Sequence, residues 1–159
     1  MDTQKHLYDI IKDFRTAMLV TRSGDGIHAR PMHVAELKPD ADAYSVAKIE
    51  SPKVNEIESD PRVLITFQSG SEFAAIEGTA SVVRDRALID RMWSDAWKVW
   101  FPKGKDDPSI CLLKVAATEG EYWDNSGLEG FKYLFEGVKA IFKGRTPQVD
   151  QSQHAKVRL

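Results

Sequence analysis

The sequence predicts a mainly β chain with flanking helices, an α+β fold closed into a barrel rather than spread as an open parallel sheet. Short runs of alternating or β-branched residues recur between turn signals, and long helical patterns are too few to join every strand pair as in βαβ units. At 159 residues with 42% hydrophobic content, the chain can build one well-cored domain and is short of two. That domain is expected over residues 1–143, followed by an extended polar tail over 144–159.

Leu7, Ile10, Ile11 and Phe14 recur at helical spacing, so residues 3 to 14 read as an amphipathic helix laid on the sheet. Residues 17 to 22 form the first strand, and Ser23-Gly24-Asp25-Gly26 the turn out of it. On the strand that follows, alternation places His28, Arg30 and Met32 on one face and Ala29, Pro31 and His33 on the other. Pro31 cannot donate to a ladder, which puts this segment at an edge, a bulge or a place approached by something other than a strand. After a polar turn over residues 38 to 42, residues 43 to 49 return as a strand. Ser51 then serves as N-cap and Pro52 as first residue of a short helix that stops at Asp60-Pro61.

Residues 62 to 68 and 73 to 84 are the next two strands. Ala74, Ile76, Gly78 and Ala80 share a face of the second, small enough for a crowded interior or for a ligand's approach. Asp85 caps a helix whose stripe runs through Leu88, Ile89, Met92, Trp93, Ala96, Trp97 and Trp100, with Trp93 expected in the core. Two strands, 109 to 117 and 119 to 124, precede a final helix from about 128 to 143, weakened by Gly130 and Gly137. In the tail, Val157-Arg158-Leu159 has the composition to join a sheet.

Several function classes fall away. A net charge of -2 gives no concentrated positive field for nucleic acid, and Lys132, Lys139, Lys143 and Arg145 read as a solvated helix face. No apolar run is long enough to span a bilayer and the first residues lack a signal-peptide pattern, so a cytoplasmic protein without membrane contact is expected. The single cysteine, Cys111, lies in an apolar run and reads as a buried thiol. His28 and His33 fall on opposite faces and the other histidines are distant in sequence, so no metal site is expected. Nucleophile elbows, phosphate-binding Gly-Lys-Ser/Thr loops and dinucleotide glycine fingerprints are missing, and no catalytic residue is assigned.

What remains is a cationic set. Arg30, Ser51 and Lys53 lie near one end of the central hairpin, beside a helix N-terminus, and these are the parts that hold a phosphate dianion. Spacing alone favours an ordinary hairpin with solvated charges. The ordered set His28-x-Arg30-Pro31-Met32, Ser51-Pro52-Lys53-Val54, Asp60-Pro61-Arg62-Val63, Glu77-Gly78-Thr79-Ala80, Trp97 through Gly104, Asp107-Pro108 and Glu121-Tyr122-Trp123-Asp124 resembles the pyridoxamine-phosphate-oxidase-like flavin-binding split barrels, in their general stress protein branch.

That resemblance implies an FMN-binding split β-barrel that forms a homodimer, with Trp100 and Phe101 at the dimer interface near the partner's flavin. Arg30, Lys53 and Ser51 are the phosphate candidates; Met32, Val46, Trp100 and Phe101 offer apolar contact and stacking for the ring. The backbone beside Pro31 and around Ser45, Val46 and Ala47 offers donors and acceptors to the ring edge, and His28 of the quoted motif is counted with the cofactor-binding set. Where the family carries Trp-Phe-x-Thr, this chain has Tyr44, Ser45, Val46 and Ala47. A lost hydroxyl bond costs about 1 kcal/mol, roughly fivefold in affinity. The family oxidases carry a C-terminal substrate segment with paired arginines and a histidine, which the tail Gln153-His154-Ala155-Lys156-Val157-Arg158-Leu159 does not reproduce, so vitamin B6 oxidation is not the first expectation. The expected activity is a flavin-dependent oxidoreductase of unknown substrate. The alternatives are a flavin-binding or interaction protein without turnover, and a split barrel that takes FAD, a deazaflavin or haem.

Overall fold

The computed structural model describes residues 1–127, 144 and 150–159. Helix α1 (Thr3–Ile11) leads into β1 (Thr16–Ser23), β2 (Gly26–Leu37) and β3 (Ala43–Lys48); α2 (Pro52–Ser59) precedes β4 (Arg62–Gln68) and β5 (Glu72–Val83). Then come α3 (Arg86–Met92), a 3-10 turn over Asp95–Val99, β6 (Ile110–Asp124) and β7 (His154–Arg158). All strand pairs are antiparallel, and the β3–β6 pairing closes β2-β1-β4-β5 into a six-stranded barrel.

Alternation on the strands sorts side chains between two cores. Leu19, Met32, Ile65, Phe67 and Ile76 fill the barrel, and Leu7, Ile10 and Ile11 of α1 join the same cluster. Phe14, just past the helix, turns edge-on to Phe67 at 5.5 Å. On β3 and β6, Ala43, Ala47, Cys111, Leu113 and Val115 face this core, while Val46, Ile110 and Leu112 face a second one built with Ile89, Trp97 and Phe101. Both faces of β3 are therefore covered, and every residue from Ala43 to Ala47 is buried. Burial of Trp97 and Phe101 contributes about 2–3 kcal/mol each.

Two elements differ from the sequence expectation. The apolar stripe from Asp85 to Trp100 is not one helix, because α3 ends at Met92 and Trp93 is extended at ψ 135°. Local polar bonds win over the stripe: Ser94 Oγ accepts from the Ala96 amide and caps a new turn, while Trp93 Nε1 donates to Asp95 at 3.3 Å. Trp97 thereby becomes the fully buried tryptophan, with Trp93 half-buried against it. The two strands expected over 109 to 124 are one continuous strand, β6. The interruption read into Thr118 is a bulge, across which the pairing steps from Glu77↔Glu119 to Gly78↔Ala117.

The bulge also explains the small residues of β5. A Cβ on Gly78 would sit 2.4 Å from the Ala116 carbonyl oxygen, so the two backbones meet where only hydrogen fits. Along its other edge β6 serves two partners, with residues 110–115 pairing β3 and 119–123 pairing β7. Within β7, Val157 is buried, and His154 stacks on Trp123 while bonding Glu121 at 2.8 Å. The helix expected at 128–143, its basic cluster and the 143/144 boundary lie outside the described residues.

Candidate ligand-binding cleft

The barrel is split at one seam. Strands β2 and β3 pair only through Val34↔Ser45, Glu36↔Tyr44 and Leu37↔Ala43, with an irregularity between Val34 and Glu36. From there β2 runs back to Gly26 against β1 alone, and β3 runs on to Lys48 against β6 alone. Pro31 sits on the bare edge this leaves, in keeping with a residue that has no N–H to give.

A cleft of about 280 Å³ opens at the seam. Its walls are Pro31, Met32 and His33 of β2, Val46, Ala47 and Lys48 of β3, Ser51 and Lys53 at the start of α2, and Trp100 and Phe101 beyond the 3-10 turn. The structure thus gathers Pro31, Met32, Val46, Ala47, Ser51, Lys53, Trp100 and Phe101 of the sequence-predicted set at one place. Phe101 and Trp100 play different parts. Phe101 is 1% exposed and belongs to the second core, whereas Trp100 is 45% exposed at the cleft mouth. Next to Trp100, Val99 is 81% exposed.

One end of the cleft is cationic. Burial, then the neighbouring Arg30 guanidinium, pushes the Lys53 ammonium below its ordinary range. Among the described residues no carboxylate pairs with it. Ser51 holds the N-cap position, but its hydroxyl donates to the Lys48 carbonyl at 2.7 Å and makes no capping bond. The first turn of α2 is left without its usual side-chain acceptor. Lys48 adds a charge 5.9 Å over the Phe101 ring.

Arg30 and His28 are not cleft-wall residues. Arg30 Nη2 donates to Glu56 Oε2 at 2.5 Å and its Nη1 to Thr21 Oγ1 at 2.5 Å, while His28 Nδ1 lies 2.7 Å from Glu56 Oε1. The Thr21 hydroxyl, ahead of His28 and Arg30, holds the Glu56 carboxyl down to about 2 against the opposing effect of burial. Ser45 is also off the wall, buried, with its hydroxyl turned to the Val46 carbonyl at 3.4 Å.

Sequence reasoning missed His33, Lys48, Glu56 and Thr21. His33 sits in the cleft wall with its ring centroid 5.6 Å from Trp100 and 6.5 Å from Trp97. Burial, then Arg15, pushes its imidazole below the usual value, which favours a neutral ring. Its place beside Met32 was the available signal. No group of metal-ligating side chains occurs among the described residues, and no helix among them is long and apolar enough to cross a membrane.

An apolar slot with an aromatic wall and an unpaired cation at one end suits a flat ligand that carries an anionic group. The chain is similar to several known proteins. General stress protein 26 of Bacillus subtilis is 25% identical over 119 residues, covering 72% of this chain and 83% of the relative. A crystal structure from Jannaschia sp. CCS1, described as a general stress protein 26, superposes with a TM-score of 0.75 at 25% identity, covering 99% of each chain. The general stress FMN/FAD binding protein of Xanthomonas citri superposes with a TM-score of 0.68 at 27% identity, over 79% of this chain and 91% of that one. With residues 2–148 matching the model of that family, the chain belongs to the pyridoxamine 5'-phosphate oxidase like family.

Proposed function

We propose that this chain binds FMN in the seam cleft, at an interface with a second copy of itself, and works in the cytoplasm as a flavin-dependent oxidoreductase. The observation that carries the reading is Lys53, a half-buried ammonium without a carboxylate partner among the described residues, beside a helix start that lacks a side-chain cap and at one end of an aromatic slot. A half-buried cation beside a second cation is stabilised when an anion joins them, and a phosphate supplies that anion. Lys53 and Ser51 contact the phosphate, with Arg30 one layer behind as a source of positive field.

The ring lies between Met32 and Val46, with Phe101 behind it and exposed Trp100 available for stacking. Backbone groups of β2 around Pro31 and of β3 from Ser45 to Ala47, freed where the strands part, address its polar edge. His33 offers a neutral hydrogen-bonding group. A bound flavin would supply electron transfer, while the chain fixes its orientation and excludes water. The cleft is open on one side, and a second copy would cover it and exposed Trp100 together.

Purified protein is expected to retain stoichiometric FMN after the excess is removed, with visible absorption bands near those of free flavin. Lys53→Ala is expected to weaken FMN binding more than tenfold in titrations of folded protein. Unchanged affinity would place the phosphate elsewhere. Rapid mixing with NADH or NADPH then tests turnover, since flavin that is never reduced by either would favour a binding protein without its own reaction.

A further inference from the structure

We infer that Glu56 is the positioning residue of the cleft's cationic end, fixing Arg30 and the start of α2 so that Lys53 and Ser51 meet a phosphate. The inference rests on the flavin reading and adds to it a residue that never touches the ligand.

Glu56 lies three residues after Lys53 on α2, so the two side chains leave neighbouring sites on the helix surface. Lys53 goes to the cleft. Glu56 goes to the barrel, where it takes hydrogen bonds from Thr21 of β1 and Arg30 of β2 and pairs with His28 of β2, residues 35, 26 and 28 positions away in sequence. One carboxylate thus ties the helix carrying the cationic end to both strands behind it.

The arrangement is costly to make and specific in what it fixes. Only about 10% of the Glu56 side chain is exposed, and Arg30 is 23% exposed, so both charges have given up much of their hydration. A buried ion pair is weak evidence for net stability, and its best-attested service is to select one arrangement over others. Arg30 is held by Glu56, by Thr21 Oγ1 and by the Leu19 carbonyl at 3.5 Å, which stops the guanidinium from swinging into the cleft beside Lys53. Without Glu56, two uncompensated cations would face each other across the base of α2, and the helix would lose its tether to β1 and β2.

Riboflavin and FMN separate a positioning role from a merely structural one, because they differ only in the phosphate. Wild type, Glu56→Gln and Glu56→Asp are titrated with each ligand by quenching of flavin fluorescence. The expected result is FMN affinity about tenfold weaker in Glu56→Gln, riboflavin affinity within about twofold of wild type, and partial recovery of FMN binding in Glu56→Asp. Equal loss for both ligands would reduce Glu56 to a structural role. Unchanged or tighter FMN binding would make Glu56 a competitor for the cations, and either result overturns the inference.

Wild-type protein that binds neither flavin would overturn the flavin reading itself, a result distinct from any seen only in the variants. If Glu56→Gln fails to fold, His28→Gln serves instead, since it removes one of the three partners from a largely exposed side chain. The same FMN-selective loss, about threefold, is then expected; an equal loss for both ligands, or none, counts against the inference.

Discussion

The two sides of the barrel are built to opposite rules. Where β5 meets β6, pairing runs from Glu72↔Asp124 to Val83↔Leu112, and backbone packing at Gly78 leaves no room for a methyl group. Where β2 should meet β3, pairing stops at Val34↔Ser45, and Pro31 to His33 of β2 and Val46 to Lys48 of β3 become a cleft wall instead. The closed side is paired along its length; among the described residues the split side leaves backbone edges without a strand partner and Lys53 without a carboxylate. Sites that bind ligands are drawn from such under-satisfied regions, because a group already satisfied by the protein has little left to offer.

The largest expected effect lies on the closed side. Gly78→Ala would place its Cβ 2.4 Å from the Ala116 carbonyl oxygen and 2.8 Å from Val115 Cγ1, and is expected to cost about 3 kcal/mol in denaturant unfolding. FMN affinity of the folded fraction should be unchanged. Gly120→Ala meets the end of the Leu7 side chain instead, which can move, and should cost about 1 kcal/mol. A larger loss at Gly120 than at Gly78 would break the contrast between rigid backbone and yielding side chain.

On the split side the signs separate. Lys53→Met should lose FMN affinity by about 2 kcal/mol yet unfold at the same or higher denaturant concentration, because it removes a half-buried cation that has no carboxylate partner among the described residues. Parallel loss of stability and affinity would show that Lys53 is structural.

Acid gives a third test. Glu56 has its carboxyl lowered from 4.5 to about 2, so its contribution to stability is complete above pH 4.5 and is lost as pH falls towards 2. A thermal-unfolding series across that window should be flatter for Glu56→Gln than for wild type. A parallel pair of curves would assign the acid sensitivity to other carboxylates such as Asp60 and Asp9, also lowered to about 2 by Arg62 and Lys12 respectively. The smallest effect is expected from Trp100→Ala, with stability within about 0.5 kcal/mol of wild type and FMN binding weakened by about 1 kcal/mol.

This division also explains what could be read from the chain alone. Strands follow from period-two alternation, which is local, and Pro31 announces its own bare edge through a missing donor. The break after Met92 was hidden because the apolar stripe continues in helical register through Trp97, while the decisive bonds of Ser94 and Asp95 are short polar ones. Thr118 looks like an ending in sequence; only the partner strand shows that it is a bulge.

The cleft residues within one hairpin and its following helix were legible for the same reason, since they are neighbours in sequence. Glu56 was not, because its meaning lies in three partners from 26 to 35 positions away. Phe101 shows the reverse case. Adjacent to an exposed tryptophan and assigned the same role, it turns inward because the chain leaving the 3-10 turn points it at Val46, Ile110 and Leu112.

Cys111 has a use apart from ligand binding. Its thiol is fully buried, lies 3.5 Å from the Ala47 carbonyl across the β3–β6 pairing that closes the barrel, and is pushed by burial to a pKa above its ordinary value. A thiol in that place cannot meet a water-soluble disulfide reagent until the closing pair comes apart. As the sole cysteine of the chain, it is a built-in clock for the opening of the barrel, and the rate at which it can be labelled times how often the ring of strands breaks.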